Sequence, residues 1–193
     1  MNGKTIALLL FLLLPTLAIS ANQSDLDKLA ELNKVQTPIH LDLSNTDLRS
    51  YIFTSGKIDL QQANLSHSNL SGADLSKMNL GGANLSYADL SNAKLNQVNL
   101  AEANLDHANL SGAQLQQSDL SRANLSFANL TNANLQQTVF ARANLTCANL
   151  NQADLTKANF SSTIISGATF VNTNTADIAA YDGVMDSKTN CHE

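Results

Sequence analysis

Hydrophobic residues recur at every fifth position through most of the chain. From Leu60 to Phe170 this position occurs 23 times and is occupied by 19 leucines, three phenylalanines and one isoleucine. Alanine stands two places earlier in 16 of the 23 repeats, and Asn or Asp stands between the two in 18 of them. The two places that follow the hydrophobic residue are mostly polar. This period of five belongs to neither a regular helix nor a regular strand.

Neither common secondary structure would bury all of these leucines on one side. In an α-helix, five residues rotate the side chain by about 500°, so successive leucines would point in different directions. In a flat strand, successive leucines would alternate between the two faces because five is an odd number. A backbone that turns a corner every five residues directs each leucine and alanine inward and leaves the other residues outside. Fixed periods of this kind are typical of solenoids.

Exceptions to the pattern indicate how many five-residue sides make one coil. Five of the seven residues that replace alanine are separated by twenty positions: Ile58, Met78, Val98, Ser118 and Thr138. These residues stack on one side of the core if four repeats close one coil. The sequence therefore predicts a four-sided tube, with neighbouring coils about 4.8 Å apart. The inward hydroxyl groups are expected to bond to nearby backbone, namely those of Ser68, Ser118, Thr138 and Thr163.

The repeated units resemble those of the pentapeptide-repeat family. Residues 83–85 and 128–130 both read Ala-Asn-Leu, which is typical of the A-[ND]-L-x-x units of that family. The resemblance covers about residues 41–170. It implies an all-β fold, a right-handed quadrilateral parallel β-helix, and the length of the repeat region corresponds to about six coils.

Both ends of such a tube are expected to be capped, because an open β-helix exposes backbone and core. Ser24 and Asp27 suit the start of a helix, and apolar residues on one face follow them, so a short N-terminal capping helix is predicted within residues 21–40. The hydrophobic pattern stops after the repeat region. Residues 171–193 are therefore expected to form a C-terminal cap or tail.

The first coil is irregular. Leu43, Leu48 and Phe53 keep the step of five, but the next clear hydrophobic position, Leu60, follows seven residues later. Two extra residues around 55–57 are therefore expected to form a bulged corner.

The first twenty residues are typical of a secretory signal peptide. Lys4 precedes an apolar run at 6–14, which is shorter than a membrane span needs. Cleavage is expected between Ser20 and Ala21, or after Ala18, and an uncleaved membrane anchor is the alternative. The sequence therefore predicts a protein that is exported to a bacterial periplasm or secreted, with no stable membrane span after the signal is removed.

The chain has two cysteines, Cys147 and Cys191. An oxidising compartment outside the cytoplasm would permit a disulfide between them, and two free thiols are the alternative. A disulfide would hold the C-terminal tail against the tube.

Composition and motifs narrow the range of functions. The formal net charge is −5 and charged residues make up only 14% of the chain, so nucleic acid binding, which needs clustered Lys and Arg, is not expected. No glycine-rich phosphate loop, nucleophilic serine motif or H-E-x-x-H motif occurs in the sequence. No enzymatic activity, cofactor or metal site is therefore predicted.

One outward column differs from the others. His67, Tyr87, His107 and Phe127 recur every twenty residues, followed by Cys147. Aromatic residues are favoured in protein contact surfaces, so these four form a candidate interaction strip. The alternative is that stacked rings only stabilise neighbouring coils. The two histidines, about 9–10 Å apart along the axis, are too far apart to bind one zinc ion.

These features predict a non-enzymatic exported protein that acts as a protein-interaction or scaffold module for an unidentified protein partner. The resemblance suggests a second function, because some members of the family are acidic β-helices that mimic DNA and bind gyrase, a type II topoisomerase. The modest charge and the predicted export disfavour that function. A secreted effector or toxin-neutralising protein is the third hypothesis, and it rests on location alone.

Overall fold

A computed structural model of the chain describes residues 41–53, 60–178 and 191. The predicted signal peptide, the predicted capping helix and the predicted bulge at 55–57 lie outside these residues. Within the described ranges, the backbone pairs through single-residue parallel bridges rather than through continuous strands, and it forms no helix.

These bridges define a repeating coil. From the pair Asn64 and Asn84 to the pair Asp154 and Asn174, every bridge joins residues twenty positions apart. A two-residue turn separates each bridge from the next, five positions further along the chain. One coil therefore has four turns, and the described chain is a parallel β-helix with four sides, as the sequence predicts.

Leucine and alanine side chains fill the tube. Every leucine of the ladder from Leu60 to Leu155 is 0% exposed, and the inward alanines from Ala63 to Ala158 are fully or almost fully buried. Burying a leucine is worth roughly 1.5–3 kcal/mol, so the ladder is the main source of stability. Val98 lies directly above Met78, because the residues that follow them are bridged. This confirms the predicted coil of twenty residues.

The inward hydroxyl groups are satisfied by backbone carbonyls, as predicted. Each donates one hydrogen bond: Ser68 to Leu65 (2.7 Å), Ser118 to Leu95 (2.6 Å), Thr138 to Leu115 (2.8 Å) and Thr163 to Phe140 (2.7 Å). A buried hydroxyl without a partner would lower stability, so these bonds allow polar residues at places that otherwise hold alanine.

Asparagine at the middle place of a repeat makes two kinds of hydrogen bond, as Asn84 shows. The Oδ1 atom of Asn84 accepts hydrogen bonds from the backbone N–H (3.2 Å) and the hydroxyl group (2.9 Å) of Ser86, which closes the turn. Its Nδ2 atom donates to Oδ1 of Asn64 in the preceding coil (3.3 Å). The same donation repeats along this face, from Asn64 to Asp42 and then successively from Asn84, Asn104, Asn124 and Asn144 to the residue one coil earlier. We call this row the asparagine ladder.

The first coil contains two extra residues, as predicted. Asp42 is bridged to Asn64 and Asp47 to Asn69, so both pairs are 22 positions apart instead of twenty. Because the next coils return to twenty, the extra length is confined to one place and leaves the later register unchanged.

The regular coil extends beyond Phe170, where the sequence pattern places the start of the C-terminal tail. The last bridge joins Asn174 to Asp154, and a further turn follows at residues 176–177. Thr175 replaces the central leucine there, but Asn174 still accepts from the N–H of Ala176 (3.2 Å), and Thr173 donates to the carbonyl of Leu150 (2.8 Å). These polar contacts maintain the backbone path after the hydrophobic ladder has ended.

Acid is expected to weaken the last coils through Asp154. This carboxylate accepts hydrogen bonds from Thr156 (2.6 Å), Gln136 (2.6 Å) and Asn174 (3.1 Å). The side-chain bonds from Thr156 and then Gln136 lower the pKa of Asp154. Its stabilising effect is therefore present above the unfolded-state pKa, about 3.9, and is lost as pH falls through the lower folded-state value.

Acid unfolding followed by circular dichroism will measure this effect. Asp154→Asn keeps the turn-closing acceptor but cannot be protonated, so the variant is expected to lose less stability than the parent between about pH 5 and pH 2. Asp177→Asn, at a corner near the end of the described coils, serves as the control. Identical acid profiles for Asp154→Asn and the parent would contradict the prediction.

Candidate functional site

The four residues of the predicted strip form a continuous stack of rings, which we call the aromatic column. Ring centroids are 5.0 Å apart for His67 and Tyr87, 4.7 Å for Tyr87 and His107, and 4.8 Å for His107 and Phe127. The interplanar angles are only 5°, 12° and 16°. This spacing matches the separation of hydrogen-bonded strands, so the stacking follows from the regular rise of the coils.

Backbone conformation at the corners makes the identity of these residues unusual. Tyr87 and Phe127 have φ values of 58° and 57°, in the left-handed region that costs a non-glycine residue about 1–2 kcal/mol. The other three corners have the same conformation and hold Gly or polar residues, such as Gly72, Asn92 and Arg122. Ring stacking, worth about 0.5–1.5 kcal/mol per pair, offsets part of the cost. Local backbone preference therefore does not account for four aromatic or imidazole residues in succession.

The column presents ring edges rather than ring faces to solvent, because each inner ring is covered on both faces by its neighbours. Tyr87 is 51% exposed, and it is the most accessible large hydrophobic residue of the column. The Nδ1 atom of His107 lies 2.9 Å from Oδ2 of Asp106, which fixes the orientation of the imidazole ring. The column can therefore offer aromatic edges and polar ring atoms to a partner along one corner of the rod.

The surroundings of the column carry little charge. Asparagine faces flank it on both sides, and Asp89 and Asp106 are the acidic residues on this part of the surface between residues 60 and 178. All lysines and arginines of that range lie at the other corners and faces: Lys77, Lys94, Arg122, Arg142 and Lys157. Contacts made here would therefore depend on shape and hydrogen bonding rather than on positive charge.

A disulfide lies at the far end of the column. Cys147 occupies the next corner place after Phe127 and is joined to Cys191, with a Cα–Cα distance of 5.5 Å. The following corner place is Gly167, and the sulfur of Cys191 lies 3.6 Å from its carbonyl oxygen. Because Gly167 has no side chain, no side chain from this corner place covers the sulfur of Cys191.

Within residues 41–53, 60–178 and 191, no group of three or more His, Cys, Asp or Glu residues is arranged to hold a metal ion. In the column itself, the ring of Tyr87 separates His67 from His107. Among the same described residues, no helix is long and apolar enough to cross a bilayer.

A four-turn coil of five-residue repeats defines a β-helical solenoid. The sequence profile of pentapeptide repeats matches eight copies in this chain, over residues 58–97, 83–122, 123–161 and 138–174, so the chain belongs to the pentapeptide-repeat family. No curated protein sequence matches it significantly.

Several solved structures are similar to this chain. HetL, a pentapeptide repeat protein involved in heterocyst differentiation regulation in the cyanobacterium Nostoc sp. strain PCC 7120, is 26% identical, with 77% of this chain and 84% of HetL covered and a TM-score of 0.43. Rfr23 from the cyanobacterium Cyanothece 51142 is 27% identical over 62% of this chain and 84% of its own, with a TM-score of 0.42. A trypsin-treated form of QnrB1, a plasmid-mediated fluoroquinolone resistance protein, is 16% identical over 77% of this chain and 91% of its own, with a TM-score of 0.43. None of these likenesses assigns a function to the chain.

Proposed function

We propose that this chain is an exported, non-enzymatic module that binds another protein through the aromatic column. The observation that carries the proposal is the presence of aromatic and imidazole residues at four successive corner places of one column, whereas the other three corners hold Gly or polar residues at the same positive φ. Aromatic residues are enriched at protein interfaces and often contribute most of the binding energy. Tyr87, with half of its side chain exposed, is the expected anchor.

Catalysis is not part of the proposal. The closest pairing of titratable groups in the column, His107 with Asp106, lies on an outer corner of the rod. Ligand and active sites are usually concave, and they bury most of the ligand surface. A corner offers no such enclosure, so these groups are better suited to contact a partner than to carry out a reaction.

Export is supported by two separate features. The N-terminal sequence has the basic, apolar and small-residue segments of a secretory signal. The Cys147–Cys191 disulfide is of a kind that persists in oxidising compartments and is rare in the cytosol. Fractionation of cells that express a C-terminally tagged chain will test this part, with a mature N-terminus near Ala21 as the expected result. Recovery of the unprocessed chain from the cytosol would contradict it.

Charge density does not favour the alternative in which the rod mimics DNA. A DNA duplex carries one phosphate charge per about 1.7 Å of axis, which is about three charges over the rise of one coil. Residues 41–178 contain ten Asp and Glu against seven Lys and Arg, a net charge of −3 for the whole rod. Neutral amide and hydroxyl groups dominate the surface instead.

Substitution of two column residues will test the interaction. Tyr87→Ser with Phe127→Ser is expected to weaken binding of the partner, recovered from the exported fraction, at least about tenfold, because aromatic anchors often contribute 2 kcal/mol or more. The matched control is Asn92→Ser with Asn132→Ser, at the next corner and with φ values of 56° and 59°. Binding by the parent is expected to change little with salt, because the column and its flanking faces carry no basic residue and only two acidic ones, Asp89 and Asp106.

Thermal unfolding of both double variants will show whether a change in binding reflects a loss of folding. Equal affinities for the same partner in the parent and the Tyr87/Phe127 variant would rule out the column as the binding surface. Equal losses in the two double variants would show that the effect is not specific to the aromatic column.

A further inference from the structure

We propose that the Cys147–Cys191 disulfide is a thiol-exchange site that reacts at Cys191, with Cys147 as the leaving group. Its reaction partner is a thiolate, carried either by a small thiol or by a dithiol oxidoreductase. This inference is independent of the proposed protein-binding function, because it concerns the chemistry at the end of the column rather than recognition by the rings.

The two sulfur atoms lie in unequal surroundings. Cys191 is exposed, whereas Cys147 is only partly exposed. Phe127 occupies the corner place one coil before Cys147 in the same column. On the other side, the corner place beside Cys191 is Gly167, which has no side chain to cover the sulfur. Thiol–disulfide exchange depends on which sulfur a thiolate can reach, so the difference in access selects Cys191.

The direction of attack strengthens this selection. A thiolate attacks a disulfide roughly in line with the S–S bond, from the side opposite the sulfur that leaves. The sulfur of Cys191 lies 3.6 Å from the carbonyl oxygen of Gly167, the corner residue one coil beyond Cys147. Attack on Cys191 therefore comes from the side of the exposed sulfur, whereas attack on Cys147 would have to reach the less exposed sulfur, one coil after Phe127.

Each step of the exchange consumes one incoming thiolate and releases one cysteine thiolate. The incoming thiolate forms a new S–S bond to Cys191, the bond to Cys147 breaks, and Cys147 leaves as a thiolate that takes a proton from solvent. A second thiolate can then attack the mixed disulfide, which oxidises the two incoming thiols to a disulfide and leaves Cys191 as a thiol. The first step alone detaches Cys191 from the rod and attaches the incoming thiol to it.

The backbone conformation at position 167 does not by itself require glycine. Its φ is 71°, but non-glycine residues occupy equivalent corners throughout the rod, including Asn92 and Asn132. A side chain at 167 would add atoms at the corner place beside the sulfur of Cys191, which lies 3.6 Å from the Gly167 carbonyl oxygen. Gly167→Asn is therefore compatible with the backbone and is expected to cover the approach to Cys191.

Peptide mapping of the oxidised full chain will test the proposal. The folded protein is treated briefly with reduced glutathione, quenched with acid, and alkylated with a maleimide that marks free thiols. The expected result is glutathione on Cys191 and maleimide on Cys147. Adducts mainly on Cys147, exchange only after denaturation, or two free thiols in untreated protein would each overturn the proposal.

Two variants and a control sharpen the test. Gly167→Asn is expected to slow exchange about tenfold, whereas Gly72→Asn, at a corner with no neighbouring atom within 4 Å of an added Cβ, should leave the rate unchanged. Phe127→Ala opens the other sulfur and is expected to shift part of the adduct to Cys147. If Gly167→Asn fails to form the disulfide, the adduct distribution in Phe127→Ala decides, and an unchanged distribution there overturns the proposal.

A second experiment distinguishes the two sources of the thiolate, a small thiol and a dithiol oxidoreductase. A Cys-X-X-Cys oxidoreductase whose second cysteine is replaced by serine will trap a mixed disulfide with the chain. Capture through Cys191 identifies the oxidoreductase class as a reaction partner, whereas glutathione adducts without capture restrict the site to small thiols. Failure of both arms overturns the exchange site, yet leaves binding at the aromatic column unaffected.

Discussion

Replacing Leu105 by alanine is expected to lower the free energy of unfolding by about 3–5 kcal/mol. Leu105 is 0% exposed and lies in the middle of the ladder, with a leucine in the coil on either side. The substitution removes buried methyl and methylene groups and leaves a cavity in a tube whose backbone is fixed by bridges to both neighbouring coils. Chemical denaturation followed by circular dichroism will measure the change.

Val171→Ala provides the control for this substitution. Val171 also belongs to a regular coil, but it is 61% exposed. Its replacement is expected to change the free energy of unfolding by no more than about 0.5 kcal/mol. Similar losses in the two variants would mean that the leucine ladder is not the source of stability.

Enlarging Ala108 to methionine is expected to lower the free energy of unfolding by about 1–3 kcal/mol. Ala108 is 0% exposed and is stacked between Ala88 and Ala128, so this side of the tube holds only small side chains for three coils. The additional atoms would have to displace the leucine ladder or the backbone. The decrease is to be measured from the denaturation midpoint and slope.

Val98→Met is the matched control, because Met78 already occupies the same place one coil earlier. This side of the tube accommodates larger side chains, so the loss is expected to stay below about 1.5 kcal/mol. A loss at Val98 as large as that at Ala108 would show that the width of the tube is the same on both sides.

The number of sides in one coil could be predicted from the sequence, because it follows from which residues pack inward. A leucine every five residues and larger residues every twenty can share one core only if four sides make a coil, and the stacking of Met78 and Val98 confirms this. The role of asparagine could not be read in the same way. Its preference was visible in the pattern, but the turn-closing bonds seen at Asn84 depend on a local geometry that hydrophobic spacing does not specify.

The residues of the aromatic column were predicted from the sequence, but the left-handed backbone conformation that they adopt was not. Because Tyr87 and Phe127 are not residues that favour the left-handed conformation, nothing in their identity indicated a positive φ. The end of the coil was also placed too early, because the hydrophobic pattern ends at Phe170 while hydrogen bonds from Asn174 and Thr173 continue the backbone path. Cys191 lies beyond the repeats, so no register could place it beside Gly167.

The asparagine ladder gives one face of the rod a row of side-chain amides that all point the same way. Every amide in the row donates towards the N-terminal coil, so the side-chain dipoles add instead of cancelling, and their positive ends face Asp42, whose carboxylate accepts the last bond. The backbone bonds of this face run mainly the other way: the N–H groups of Leu85 and Tyr87 donate to the following coil, and that of Asn84 donates to the preceding one. The side-chain row therefore opposes the net direction of the backbone bonds instead of adding to it.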